Sequence, residues 1–429
     1  MKIQSCNIKT DNYPNKSLHK YLEQFNLNSE SELFQTEVAK KTVAEKLLIS
    51  NCIVSVFINE FWTAQQRQSN SIHEISYRAC FKAQLPRFFI DLLTDEEDLV
   101  YDPFSGRGTT IIEAALMNRN VISNDINPLS KILTEPRLNI PSINDVKKRL
   151  ESINFYSNLK AEIDISMFYH PNTESEIVSL KKYLCERKIS GKEDFIDRWI
   201  RMVATNRLTG HSKNFFSIYT LPPNQAISPE RQKKLNIQSG QQAEYKNIKD
   251  IILIKSRNLL KDIDQQKIKD LSKIAKEGIF LSKDARKSKD IKDETVNLIV
   301  TSPPFLDVIQ YADDNWLRCW FNDIDINDMK EKITVLKKLE DWTSFMRETF
   351  KEFYRIVKTG GWVAFEVGEV KNGKIKLDEV VVPIGIDAGF SCEGVMINSQ
   401  IFSKTSNCWG VSNNTKGTNT NRIVIFKKG

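Results

Sequence analysis

This sequence of 429 residues has few histidines and no closely spaced cysteines. Its four histidines are scattered, and its seven cysteines form no CxxC pair. Zinc sites are built from these residues at short spacings, so we expect no protein-bound metal and reduced thiols. Apolar runs of the ~18 residues that a membrane helix needs are missing, and Met1–Thr10 lacks the apolar core of a secretory signal. These absences predict a cytoplasmic protein.

The net charge of +7 is concentrated in one segment. Residues 172–275 contain 20 Lys and Arg against 12 Asp and Glu, so the rest of the chain is close to neutral. A basic segment favours a polyanionic partner, although a solvated helical surface gives the same bias. The candidate phosphate-binding side chains in this segment are Arg198, Arg201, Lys233 and Lys234.

Strand-like and helix-like segments alternate in two separate parts of the chain, 99–124 and 278–427. This alternation predicts an α/β fold with a doubly wound, mostly parallel sheet. Residues 142–275 have largely helical patterning and are too many for a simple loop. We therefore predict a helical N-terminal extension (1–75, with helical patterning over Glu37–Phe61), an α/β domain in two parts (76–141 and 276–429) and a basic helical insertion (142–275).

A turn with two glycines follows the first strand and opens a helix: Asp102-Pro-Phe-Ser-Gly-Arg-Gly-Thr-Thr110. Sheets of this class bind ligands at the carboxyl ends of their strands. Ile111 stands where the dinucleotide fingerprint GxGxxG has its third glycine, which argues against a pyrophosphate. Asp125 ends the next strand, where a carboxylate can accept both ribose hydroxyls, and Asp284 ends a third strand near the expected adenine edge. The joint spacing predicts an adenosine ligand without a diphosphate, although each residue alone could be an ordinary cap or turn residue.

A second motif, Thr301-Ser-Pro-Pro-Phe305, terminates an apolar strand, and its adjacent prolines predict an extended turn. Ser302 Oγ and the Pro303 carbonyl can accept the two N–H groups of a planar amine, while Phe305 can stack on the attached ring. This arrangement suits direct methylation of an amino nitrogen. Methylation of a ring carbon would need a thiolate, and Cys408 is better explained as an inert loop thiol.

Together the two motifs resemble the paired signatures of the DNA amino-methyltransferases, which transfer methyl from S-adenosylmethionine to adenine or cytosine. The resemblance covers roughly residues 76–130 and 278–429 and implies a Rossmann-like methyltransferase fold. It makes Ser302, Pro303, Pro304 and Phe305 the catalytic tetrapeptide, and the serine implies cytosine N4 as the target. It also implies that Phe81 and Lys82 belong to a segment over the methionine end of the cofactor. The predicted cofactor-binding residues are Phe81, Lys82, Asp102, Pro103, Phe104, Ser105, Gly106, Gly108, Thr109, Thr110, Asp125, Asp284 and Ala285.

The order of the motifs, with a long insertion between them, resembles the subgroup that carries target recognition there. One departure is that the insertion precedes the third predicted strand, Ile279–Ser282, instead of following it. The resemblance implies double-stranded DNA as partner and a restriction–modification setting with a cognate endonuclease.

Four alternatives remain open at this point. Adenine N6 is the other base target of the same family, and methyltransferases that act on RNA share the cofactor fold and related tetrapeptides. A binding protein with a degenerate site is disfavoured by the intact motifs. A dehydrogenase is disfavoured because the Ser-Pro-Pro-Phe motif has no role in hydride transfer.

Overall fold

A computed structural model describes residues 18–26, 41–62, 69–77, 80–221, 226–304, 311–332, 338–370, 375–399 and 420–429. The strands in these ranges are β1 (Val43–Ile49), β2 (Cys52–Asn59), β3 (Leu99–Asp102), β4 (Asn120–Asn124), β5 (Ile279–Leu281), β6 (Val296–Thr301), β7 (Val357–Val367), β8 (Glu369–Val370), β9 (Ile375–Lys376), β10 (Ser391–Ser399) and β11 (Thr420–Lys427). The α-helices are α1 (Leu18–Glu23), α2 (Gln84–Leu93), α3 (Thr109–Leu116), α4 (Leu129–Thr134), α5 (Ile143–Ser152), α6 (Pro171–Ile189), α7 (Phe195–Arg207), α8 (Pro229–Ser239), α9 (Ile248–Leu259), α10 (Gln265–Glu277), α11 (Tyr311–Asp314), α12 (Trp316–Phe321), α13 (Ile326–Lys332), α14 (Leu339–Ile356) and α15 (Leu377–Asp387).

Nine strands form one mixed sheet in the order β1-β2-β10-β11-β7-β6-β3-β4-β5. Each adjacent pair within β7-β6-β3-β4-β5 is parallel, whereas β11 is antiparallel to both β7 and β10. The chain moves outward from β3 through β4 to β5 and then returns to the other side of β3 with β6. The strand order therefore reverses between β3 and β6, which is where open α/β sheets bind their ligands.

Helices cover both faces of the sheet, as the doubly wound prediction requires. Side chains alternate along the central strands: Val100 and Leu298 lie in one hydrophobic cluster, and their neighbours Tyr101 and Ile299 lie in the other. Helices α2 and α3 pack into the first cluster, and α14 and α15 into the second. All six residues of β6 are buried, as expected for a central strand covered on both faces.

The insertion between β4 and β5 is helical, as predicted, and comprises α5 to α10. It is not a separately packed unit, because one continuous hydrophobic cluster joins Trp199 and Ile252 of the insertion to Val100 and Ile112 of the α/β half. Helix α10 packs directly on α3 and β4. The insertion lies before the third strand of the parallel set, since β5 pairs with β4 through Ile122 and Ile279.

The prediction of helix over Glu37–Phe61 is wrong for the part that the structure describes. β1 and β2 form an antiparallel hairpin joined at Ser50 and Asn51, both of which have positive φ angles. Two such residues make the tight turn whose twist suits a hairpin. β2 also pairs in parallel with β10, so long-range pairing outweighs the apolar spacing that resembles a helix.

The described helices include none that is long and apolar enough to cross a membrane.

Candidate active site at the strand-order switch

The two sequence motifs meet where the strand order reverses. Asp102 ends β3 and Thr301 ends the neighbouring strand β6. Thr301 Oγ1 donates a hydrogen bond of 2.7 Å to Asp102 Oδ1, between residues 199 positions apart in sequence. This bond places the glycine-containing turn beside Ser302.

Asp102 is an interior residue, with 1% of its surface exposed. Its Oδ1 also accepts the backbone N–H of Phe104 at 3.1 Å. Burial raises the pKa of Asp102 to about 7, and the hydrogen bond from Thr301 partly opposes this increase. Asp102 therefore stabilises the turn through these two hydrogen bonds, in addition to any contact with a ligand.

The two glycines of the turn have different tasks. Both have positive φ angles, 52° at Gly106 and 77° at Gly108. A Cβ on Gly108 would lie 2.3 Å from Thr134 Oγ1, so this glycine permits close packing of α4 against the turn. The Gly106 position is more open, and its N–H donates to Asp125 Oδ2 at 2.8 Å.

Asp125 follows β4 at the same edge of the sheet. Its carboxylate accepts two backbone N–H groups, those of Gly106 and Asn127, at 2.8 and 2.9 Å. Burial nevertheless raises its pKa to about 6. Each carboxylate oxygen has a further lone pair, so a partly buried Asp125 can still accept hydroxyl groups of a sugar.

The loop after β5 is tied to the end of β4. Asn124 exchanges two hydrogen bonds with the Lys283 backbone, at 2.9 and 3.0 Å, which holds the start of the loop that contains Asp284 against the end of β4. Arg286 pairs with Asp284 at 2.6 Å and lies over the Phe345 ring, 4.9 Å from its centroid.

This loop and the turn share an aromatic wall. Phe104 lies 6.4 Å from Phe345 between ring centroids, and both rings are partly exposed. Such a wall beside Asp284 suits a planar base. The predicted Ala285 is 4% exposed and supports the loop from inside.

Several predicted cofactor residues serve as supports. Thr110 is fully buried and donates to the Val300 carbonyl at 3.1 Å, so its side chain ties the start of α3 to β6 and is not exposed to a ligand. Thr109 accepts from Arg107 Nε at 3.1 Å, and Ser105 donates to the Asp102 carbonyl at 2.9 Å. The Pro103 carbonyl accepts from Asn124 at 3.4 Å.

The segment that contains Phe81 and Lys82 lies against the turn. Arg107 Nη1 and Nη2 donate to the carbonyls of Ile75 and Phe81, at 3.0 and 3.4 Å. Phe81 is partly buried, whereas Lys82 is exposed. This segment and the glycine turn are therefore neighbours.

The Ser302-Pro-Pro turn is held from two sides. Trp342 Nε1 of α14 donates to the Pro304 carbonyl at 3.0 Å. Ser302 is partly exposed, and its side chain lies close enough to the Glu366 carboxylate on β7 to lower the pKa of that group. Phe305, the predicted stacking residue, lies outside the described residues.

Glu366 is a site residue that the sequence reasoning missed. It is 6% exposed, and it also accepts a hydrogen bond from Asn421 Nδ2. Burial raises its pKa, and the neighbouring Asn421 and Ser302 side chains oppose that shift. Thr301 pairs with Phe365, so Glu366 is the next residue along β7 at the level of Ser302. The available signal was a lone carboxylate inside the apolar run Trp362–Val367.

The four predicted phosphate-binding side chains differ in their surroundings. The prediction is wrong for Arg201, which is 5% exposed. Its guanidinium pairs with Glu193 at 2.6 Å and donates to the Leu184 carbonyl. Lys233 is exposed but pairs with Asp164 at 3.0 Å. Arg198 is partly exposed, 3.9 Å from Glu135, and Lys234 is exposed.

The fold and site together define an α/β protein whose two motifs meet at the strand-order switch. The model of the N6/N4 methyltransferase family, described as DNA methylase, matches residues 6–135. M.MjaII of Methanocaldococcus jannaschii, a type II methyltransferase, is 31% identical over 88 residues, which are 20% of this chain and 17% of that protein. M.BsoBI of Geobacillus stearothermophilus, also a type II methyltransferase, is 22% identical over 380 residues, covering 79% of this chain and 74% of that protein. These matches support a DNA methyltransferase.

Among solved structures, TrmN from Thermus thermophilus is similar at 13% identity, with a TM-score of 0.31, over 84% of this chain and 52% of that one. Because this score is low, the fold is assigned from the strand order of the sheet and not from this similarity.

Proposed function

We propose that this protein transfers a methyl group from S-adenosylmethionine to the exocyclic N4 amino group of cytosine in DNA. The observation that carries the proposal is the Thr301–Asp102 hydrogen bond at the strand-order switch. This bond joins the glycine-containing turn, the candidate site for the adenosine of the cofactor, to the Ser302-Pro-Pro turn, the candidate site for the target amine. A ligand and an amino nitrogen can therefore be held side by side in one crevice, which is the positioning that direct transfer needs.

In this proposal Asp125 holds the ribose, Phe104 and Asp284 border the adenine, and Phe81 lies near the methionine end. S-adenosylmethionine supplies an electrophilic methyl on its sulfonium. The chain contributes orientation: Ser302 Oγ accepts one N–H of the target amine, and the Pro303 carbonyl accepts the other. These bonds direct the nitrogen lone pair along a defined line.

Glu366 gives the Ser302 hydroxyl its orientation. A hydroxyl has one proton and two lone pairs. When its proton is donated to the Glu366 carboxylate, both lone pairs remain for the target amine. Asn421 holds the Glu366 side chain in place from the other strand.

A base in a duplex has to leave the stack to reach this crevice, at a cost of a few kcal/mol. We propose that Phe305 stacks on the extruded base. Replacing Phe305 by Ala should then cost about 1–3 kcal/mol of base binding. Phe305→Tyr keeps an aromatic ring and serves as the control.

The test is to incubate the protein with labelled S-adenosylmethionine and unmethylated DNA or RNA, digest each to nucleosides and identify the labelled one. We expect N4-methylcytosine from DNA, formed more slowly by Ser302→Ala. Labelled N6-methyladenine alone would refute the base assignment, labelled ribonucleosides would refute the DNA substrate, and 5-methylcytosine would refute the mechanism.

We further propose that residues 76–141 and 276–429 form the catalytic half, that the insertion 142–275 contributes target recognition, and that a cognate endonuclease accompanies the enzyme. Resistance of DNA methylated by this protein to that nuclease would test the last point.

A further inference from the structure

A cavity lies beside the glycine turn, on the side of the insertion. Its volume is about 370 Å³. Tyr77 and Arg107 line one wall, and Arg207 of α7, Phe215 and Lys255 of α9 line the other. Because Arg107 belongs to the turn itself, this cavity and the candidate cofactor site share a wall.

The charges in this cavity are strongly unbalanced. Arg107, Arg207 and Lys255 are basic, and Glu74 is the only acid among the described residues that line it. Glu74 has 63% of its side chain exposed, and its carboxylate lies 3.5 Å from Lys255 Nζ. One solvated carboxylate cannot neutralise three cations, two of which, Arg207 and Lys255, are less than 8% exposed.

Arg207 has an unused donor that is buried. The residue is 7% exposed, and its Nε has no hydrogen-bond partner among the described residues. The carbon atom Cζ of its guanidinium lies over the Phe215 ring, 3.8 Å from the centroid, and Nη2 donates to Asn206 at 2.5 Å. A buried unsatisfied donor is costly, and the planar donor edge of a guanidinium is suited to an oxyanion.

The basic groups also disfavour one another's charge. Burial and the neighbouring Arg207 lower the pKa of Lys255 to about 8, and burial and Arg318 lower that of Arg207 to about 10. An anion placed between these groups would reverse both shifts.

We propose that this cavity binds a backbone phosphate of the DNA strand next to the extruded target base. The proposal rests on the function proposed above and adds a contact that places the strand. The location supports it, because the Tyr77 ring lies 3.7 Å from where a Cβ on Gly106 would be and also lines the cavity. Cations interleaved with aromatic rings are typical of sites for an unstacked strand.

The test compares Lys255→Gln and Arg207→Lys with the wild type in full-length protein. The affinity for a duplex that the wild type methylates is measured across a series of salt concentrations, and the affinity for S-adenosylmethionine is measured by calorimetry. We expect Lys255→Gln to weaken DNA binding about 10-fold and to reduce the slope of log K against log salt by about 0.9, as one lost phosphate contact requires. S-adenosylmethionine affinity should not change.

Lys273→Gln is the matched control. Lys273 is 72% exposed and pairs with Glu97, which precedes β3 at the opposite edge of the sheet. The control should retain the wild-type salt slope. Arg207→Lys keeps the charge but not the planar donor edge, so it should weaken DNA binding without changing the slope.

Three results would overturn the proposal. A loss of S-adenosylmethionine affinity in Lys255→Gln would assign the cavity to the cofactor. Stabilisation of the wild type by inorganic phosphate, with unchanged DNA affinity in the variant, would make it a site for small anions. An unchanged slope in an enzyme that methylates DNA would refute this inference alone, whereas a wild type that methylates no DNA would refute the proposed function.

Discussion

Replacing Glu366 by Gln tests whether a buried carboxylate orients the Ser302 hydroxyl. The substitution preserves shape and removes the charge that holds the Ser302 proton. Hydrogen bonds to charged groups contribute about 1.5–3 kcal/mol, and every 1.36 kcal/mol is tenfold in rate. We therefore expect kcat for DNA methylation to fall about 10- to 150-fold, with little change in S-adenosylmethionine affinity.

The pH profile distinguishes this role from a structural one. Glu366 must be ionised to accept the Ser302 proton, and burial raises its pKa. Wild-type kcat should therefore decrease as the pH falls through that pKa, whereas Glu366→Gln should lack this decrease. Glu186→Gln, on the exposed surface of α6, is the control and should behave as the wild type.

A double-mutant cycle provides the refutation. If Glu366 acts through Ser302, adding Glu366→Gln to Ser302→Ala should cause no further loss of activity. Additive losses, or a loss explained by weaker S-adenosylmethionine binding, would show that the reasoning is wrong.

Three further predictions concern the turn and the insertion. Gly108→Ala should destabilise the fold by about 1–2 kcal/mol because of its positive φ, and by about 1–3 kcal/mol more because of the clash with Thr134. Gly191 has a similar φ but open space around it, so Gly191→Ala should cost only about 1–2 kcal/mol. Denaturant unfolding measures both changes. Burial raises the pKa of Asp102 in the folded protein to about 7, above the ordinary range of an aspartate, so its contribution to stability is complete below about pH 4 and is lost as the pH rises through about 7. The melting temperature of Asp102→Asn should lack that decrease, and an identical pH profile would contradict the assignment. Lys234→Glu should reduce the salt slope of DNA binding by about 1–2, and an unchanged slope would show that this lysine only solvates the surface.

The local elements of the parallel half could be predicted from sequence. Buried strands such as Val296–Thr301 are short and mostly apolar, and Gly, Pro or Asp residues that end a strand lie close to their ends. The ordering of these elements in the chain was enough to predict a doubly wound sheet and an adenosine-type ligand. The hairpin Val43–Asn59 was not predictable in the same way, because its pairing with β10 depends on residues more than 300 positions away.

The features of the site likewise divide into those that are local in sequence and those that depend on tertiary contacts. The residue types of the two motifs, an acidic glycine-containing turn and Ser302-Pro-Pro-Phe305, are local, so the sequence alone determined the class of reaction to consider. Only the tertiary structure decided that Thr301 bonds to Asp102, that Glu366 lies beside Ser302 and that the buried Arg201 forms an ion pair with Glu193. Local periodicity reports which face of an element is buried, but the partner of a polar side chain is set by strand order and register, which bring distant segments together.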